Sequence, residues 1–208
     1  FEEKINQVLD RSDPAHDLAH VKRVVANAKK LAQYEGGQLE VILPAAWLHD
    51  FINLPKNHPD RNLASKMAAL ESIEFLKSIE YPQKYFPAII HAIEAHSFSG
   101  GISPETLEAK IVQDADRLDA LGAIGLARLF SVSTQLCRPF YHLDDPFAFS
   151  RALDDKQNAL DHIEIKLKKI TETMNTSAAS KEARDRLKFI EQFVQQLKNE
   201  IQTIVPID

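Results

Sequence analysis

The chain has 208 residues, 44% hydrophobic and 26% charged, with 30 acidic against 25 basic side chains and a formal net charge of −5. These proportions exclude a disordered chain, and no run of about 18 apolar residues is present to cross a bilayer. The acidic balance excludes an extended nucleic-acid surface, which needs clustered positive charge to displace counterions from phosphates, but leaves room for a local basic pocket.

In chain order, FEEKINQVLD opens an amphipathic, partly acidic segment without the positive start and apolar run of a signal peptide, so a cytoplasmic location is expected. The chain begins with Phe rather than Met, and the first native residues are expected to be missing. Ser12-Asp13-Pro14 gives a helix start, a capping side chain followed by Pro. Val21, Val24, Val25, Ala28 and Leu31 then share one face, and Gly36-Gly37 ends the helix. From about Glu40 to Phe51 the chain is apolar nearly all round, so this helix is expected to be central and buried, with His49-Asp50 at its end. Leu63 to Ile79 and Gln83 to about Ser97 read as further helices. Ser103-Pro104-Glu105 starts another, running through KIVQDADRLDAL. After Gly122 and Gly125 the segment to about Ser150 is expected to be less regular, with a helix start at Asp145-Pro146.

Toward the end, Leu153, Leu160, Ile163, Leu167, Ile170 and Met174 repeat at helical spacing, as do Ala183, Leu187, Ile190, Val194, Leu197 and Ile201 after the polar NTSAAS. This predicts a helical hairpin over about 151–204 that packs on the core, or else offers a seam for a homodimer. No alternating strand pattern is found, and 6 Gly in 208 residues leave few sharp turns. The expected fold is all-α and a single domain over 1–208.

A single Cys, Cys137, excludes an internal disulfide and thiolate-rich metal sites, so any metal must take His and carboxylate ligands. Five of the 8 His, namely His16, His20, His49, His91 and His96, fall on or beside expected buried helices. His49-Asp50 follows PAAWL, where ionisable groups are costly unless paired or bound to a cation. His16 and His20 share a helix face, as do Asp116 and Asp119, while Asp114 can reach Arg117. His91 and His96 are five apart and cannot be equivalent ligands. A nitrogen-and-carboxylate set of this kind suits Mn²⁺, Fe²⁺, Ni²⁺, Co²⁺ or Zn²⁺ without choosing among them.

The order His20, His49-Asp50, Asp116 resembles the H…HD…D signature of the HD-domain metal-dependent phosphohydrolases. The contexts HDLAHVKRV, WLHDFINLPKNHP, IIHAIEAHSFSG and QDADRLDALGAIGLAR resemble a bacterial subgroup of small HD proteins, over about residues 10–150. The resemblance implies an HD-domain helical bundle with His20, His49, Asp50 and Asp116 as ligands of one divalent metal, with Mg²⁺ able to accompany the substrate. It implies hydrolysis of a phosphate ester or anhydride, of a nucleotide by preference, with Asp50, His91 and Asp119 as catalytic candidates. Some nucleotidase members carry a carboxylate one turn beyond the HD pair, where this chain has Asn53. An HD-type module that senses nucleotides without efficient turnover is therefore the alternative. A two-iron oxygenase lacks a second ligand set here, and a purely structural scaffold leaves the buried His and Asp unexplained.

Lys56, His58 and Arg61, on the Pro-broken segment after the HD pair, are candidates to grip phosphate, with His96 as a further substrate contact. Arg23 and Arg128 are weaker candidates that can equally pair with a carboxylate. The aromatic LCRPFYHLDDPFAF is either core or the wall of a base or sugar pocket, and Cys137 has no activating partners in the sequence.

Overall fold

The computed structural model describes residues 1–8, 17–52, 54, 58–97 and 100–202. It is helical throughout, with no strand among the described residues. The chain divides into two compact units: residues 1–119 with 175–179, and residues 120–174 with 180–208.

The first unit is built from α1 (Glu2–Val8), α2 (Leu18–Glu35), α3 (Leu39–Leu48), α4 (Ala64–Ser78), α5 (Phe86–His96) and α6 (Leu107–Asp119), with 3₁₀ turns leading into α4 and α5. Helix α3 is the centre, packed against α2, α5 and α6. Its sequence VILPAAWL leaves no polar face, and Ile42, Ala45, Ala46 and Leu48 are fully buried. Pro44 lies inside this helix and cannot donate to the carbonyl of Glu40. The Tyr81 hydroxyl donates to that carbonyl instead, at 2.7 Å.

Helix α2 buries the face expected of it, Val21 through Leu31, and adds His20 to the same stripe. Its cap is Asp17, whose carboxylate accepts from the His20 amide at 2.8 Å. The expected start at Ser12-Asp13-Pro14 lies outside the described residues, as does His16. Gly36 ends the helix with φ 86°, its amide donating to Ala32.

Helix α6 begins at Leu107 rather than at Ser103-Pro104. Thr106 Oγ1 accepts from the Ala109 amide, whereas the Glu105 amide is drawn off to His91 Nε2 at 2.9 Å. Within α6, Asp114 is fully buried. Its carboxylate accepts from the backbone amides of Asn175 and Thr176, from Asn175 Nδ2 and from Thr176 Oγ1, all within 3.2 Å. This fastens residues 175–179 to α6.

The second unit holds α7 (Gly122–Gln135), a π-helical stretch Ile163–Leu167 running into α8 (Lys168–Glu172), and α9 (Ser177–Gln202), of which residues from 180 onward belong to it. Helix α7 is regular where the glycines suggested irregularity. Gly122 enters it with φ 70°, and a Cβ on Gly125 would stand 2.1 Å from the Ala120 carbonyl oxygen. The glycines thus permit a tight helix entry instead of breaking the helix.

Asp145-Pro146 does not start a helix. The Asp145 carboxylate instead accepts from the amides of Phe149, Ser150 and Arg151 and from Ser150 Oγ. Arg151 forks onto the buried Asp161, which also accepts from the Asp154 amide. These bonds hold the chain in turns up to about residue 160. The first arm of the expected hairpin is therefore helical only from Asp161, and NTSAAS already contains the first turn of α9. In the aromatic stretch, Phe140 meets Phe130 edge-on at 5.1 Å, and Phe130 also packs on Phe193.

Asp114→Ala should lower the stability of the protein by about 2–4 kcal/mol in chemical unfolding, because it leaves several buried donors without an acceptor. Asp114→Asn, which keeps one acceptor oxygen, should lose less. The amide bond from Ser150 and then that from Phe149 outweigh desolvation and hold the Asp145 carboxyl at about 2 against an ordinary 3.8. The stabilised form is the carboxylate, so the turn is fully supported above about pH 4 and loses this support as the pH falls toward 2. The Phe149 and Ser150 amide resonances should titrate with a midpoint near 2, and this step should vanish in Asp145→Asn.

Candidate metal centre

Helices α3 and α5 both end in histidine, and both histidines turn back on their own last turn. A helix end leaves carbonyls without amide partners. His49 Nδ1 bonds the Ala46 carbonyl at 2.9 Å, and His96 Nδ1 bonds the Ile93 carbonyl. A carbonyl only accepts, so in each ring Nδ1 carries the hydrogen and Nε2 faces outward.

His20 reaches the same place from α2. Its Nδ1 donates to Asp119 Oδ2 at 2.7 Å, and Asp119 is fixed as a carboxylate by Arg23, whose Nε and Nη2 donate to it at 2.6 and 3.0 Å. The hydrogen bond to Asp119, more than its charge, raises the Arg23 pKa against burial. His20, Arg23 and Asn27 form one stripe of α2 that meets α6, the last through a bond from Nδ2 to the Ala115 carbonyl.

The result is two fully buried imidazoles whose Nε2 atoms face each other at 3.3 Å. Both Nδ1 hydrogens are committed to acceptors, so in the neutral form of each ring Nε2 is the nitrogen left to bind a cation. Burial keeps His49 from charging by lowering its pKa, with His96 and His20 adding to the effect against Asp50 and Asp116. Two buried ring nitrogens facing each other at this separation are placed as a pair of ligands to one cation would be.

The carboxylates complete the set. Asp50 Oδ2 lies 3.7 Å from His20 Nε2 and 3.5 Å from His49 Nε2, and Asp116 Oδ1 lies 3.5 and 3.9 Å from the same atoms. Ligand atoms about 2.0–2.2 Å from one ion stand about 3–4 Å apart. His20, His49 and Asp50 offer donor atoms within 4.8 Å of one another. The donor set therefore fits one divalent cation of borderline character. The imidazoles are fully buried, while Asp50 and Asp116 remain 17% and 29% exposed, so the cluster opens on its carboxylate side.

The remaining sequence candidates divide. His96 joins the cluster, with Nε2 3.5 Å from Asp50 Oδ1 and its ring edge-on to His49 at 4.9 Å. Burial opposes its protonation, but the hydrogen bond and charge of Asp50, with Asp116 and the Ile93 carbonyl, raise its pKa overall. Arg61 lines a cavity beside Asp50 and donates through Nη1 to the Leu54 carbonyl. Asp119 sits behind His20 rather than in the open space. His91 is engaged by the Glu105 amide, and His58 is exposed on a turn, where Nδ1 accepts from the Asp60 amide. Lys56 and Asn53 lie outside the described residues. Sequence reading passed over Ser65, which lines the cavity with Arg61.

An all-α fold with a buried His and Asp cluster of this kind defines a metal-binding helical domain, and the comparisons name its class. The HD domain family model matches residues 17–121, and the chain belongs to that family. It is 32% identical over 201 residues, 95% of this chain and 90% of the other, to the uncharacterized protein YpgQ of Bacillus subtilis strain 168. Among solved structures it resembles an HD-superfamily hydrolase of Bacillus thuringiensis, with TM-score 0.74 and 30% identity over 96% of this chain and 93% of that one. It also resembles Bacillus subtilis YpgQ in complex with ADP, with TM-score 0.71 and 29% identity over 96% and 94% of the two chains.

Removing the Asp119 carboxylate frees His20 Nδ1 and with it the direction of Nε2. Asp119→Ala should weaken divalent-metal affinity by about 10–100-fold, measured by chelator competition, while the helical circular dichroism is retained.

Proposed function

We propose that the protein is a divalent-metal-dependent phosphohydrolase acting on a phosphate ester or anhydride, with a nucleotide as the favoured substrate. The observation that carries this reading is the pair of buried Nε2 atoms facing each other at 3.3 Å, flanked by two partly exposed carboxylates. His20, His49, Asp50 and Asp116 would hold the metal, drawn from Mn²⁺, Fe²⁺, Ni²⁺, Co²⁺ and Zn²⁺. A divalent cation bound there supplies Lewis-acid polarisation of a phosphoryl oxygen and acidifies water so that it attacks near neutral pH.

The chain's own residues do the rest. Asp119, locked by Arg23, keeps His20 in the tautomer that presents a lone pair. Ala46 does the same for His49. His96 Nε2 holds the outer oxygen of Asp50, which leaves Oδ2 directed at the imidazoles. Arg61 brings positive charge to the open side, where it opposes the charge of a phosphoryl group. The ADP held by YpgQ, a relative of nearly the same length, supports the choice of a nucleotide.

A metal-supplemented screen over nucleoside mono-, di- and triphosphates, cyclic dinucleotides and simple phosphodiesters tests the proposal. The wild type should take up about one transition metal and hydrolyse at least one member, and Asp50→Ala should lose both properties. An active, metal-free Asp50→Ala protein would overturn it. Tight nucleotide binding without turnover under any metal would replace it with a sensing role.

A further inference from the structure

A small, partly open cavity of about 30 Å³ adjoins Asp50 and His96 and is also lined by Arg61 and Ser65. Ser65 is only 3% exposed, yet its Oγ has no hydrogen-bond partner among the described residues. A hydroxyl offers one donor and two acceptor sites, and a buried one is rarely left with none of them used. The usual resort of a helical serine is the carbonyl four residues back. Ser72, two turns further along the same helix α4, does this with Ala68 at 2.6 Å, and Ser65 does not. Its hydroxyl sits in the wall of the cavity, with no acceptor among the described residues.

Two neighbours border that hydroxyl, which is itself covered. Gly100 packs against it, and a Cβ there would lie 2.9 Å from Ser65 Oγ, so only the missing side chain leaves room for a small group to enter. Arg61, one turn before Ser65, lines the same space and commits Nη1 to Leu54, which leaves further guanidinium hydrogens for a ligand. A hydroxyl and a guanidinium converging beside a cation site have the chemistry of an oxyanion receptor.

We propose that Ser65 Oγ and Arg61 form an oxyanion subsite that binds a non-bridging phosphoryl oxygen of the substrate, which makes Ser65 a substrate-binding residue. This rests on the phosphohydrolase reading of the adjoining centre. The Asp50 carboxylate also lines the cavity and repels an anion until a cation offsets its charge, so anion binding here requires the metal.

Inorganic phosphate titrated calorimetrically into the Mn²⁺-loaded full chain reads the subsite without turnover. Ser65→Ala should weaken phosphate binding by about tenfold to a hundredfold, the worth of one hydrogen bond to a charged group. Its Mn²⁺ content and thermal midpoint should stay at wild-type values, because the hydroxyl makes no bond in the folded chain. Gly100→Ala, which crowds Oγ without removing it, should weaken phosphate in the same direction. With a hydrolysed substrate, Ser65→Ala should raise KM more than it lowers kcat. Equal phosphate affinity in wild type and Ser65→Ala, or no phosphate binding by the loaded wild type, overturns the subsite. If the wild type hydrolyses substrate while Ser65→Ala binds phosphate normally, the subsite fails alone. If phosphate binding depends on Ser65 but no phosphate ester is cleaved, the phosphohydrolase reading fails and the subsite stands.

Discussion

Two buried imidazoles whose Nε2 atoms face each other across 3.3 Å, inside a helical core, set the terms for the first unit. Burial keeps His49 from taking up a proton and so leaves its Nε2 as an acceptor. The surrounding structure holds both rings in place. Asp17 caps the helix that carries His20, Asp119 and Arg23 orient the ring from behind, and the frayed carbonyl of Ala46 orients His49. Each device is an ordinary piece of helix chemistry, used here to aim a nitrogen.

Helix ends supply most of that aim. The last turns of α3 and α5 would otherwise leave carbonyls bare, and a histidine three residues on satisfies one in each case. Capping and metal-ligand orientation are thus one interaction seen from two sides. The central position of α3 makes this effective, because a helix without a polar face cannot rotate within its packing. Its internal proline would seem to weaken it, but Tyr81 supplies the missing donor.

The site was legible where chemistry required unusual residues in unusual places. His49-Asp50 after an apolar run could be read because charge and burial conflict there. His20 and Asp116 stand out instead by helical spacing and by their order along the chain, and the Asp116 side chain is 29% exposed. The apolar face of α2 and its stop at Gly36 were legible because periodicity and positive φ are local properties. Helix starts were less so. Ser103-Pro104 and Asp145-Pro146 carry the right residues for caps, but Thr106 reaches the α6 amides first, and Asp145 closes a turn of its own. Gly122 and Gly125 look like breakers in sequence and serve as entry points to α7. Ser65, in ASKMAAL, has nothing to distinguish it until its neighbours show that its hydroxyl lacks a partner.

The donor count of the metal centre governs how a ligand arrives. Two neutral imidazoles and two carboxylates carry a formal charge that a divalent ion cancels, and Asp119 is cancelled in the same way by Arg23. A loaded centre of this composition projects little net field into solvent, from a chain whose overall charge is −5. On the proposed function, a phosphate-bearing substrate would not be drawn in from a distance. It would be recognised only at separations shorter than a Debye length of about 8 Å, where single cationic groups act. Discrimination would then fall on residence time rather than on arrival.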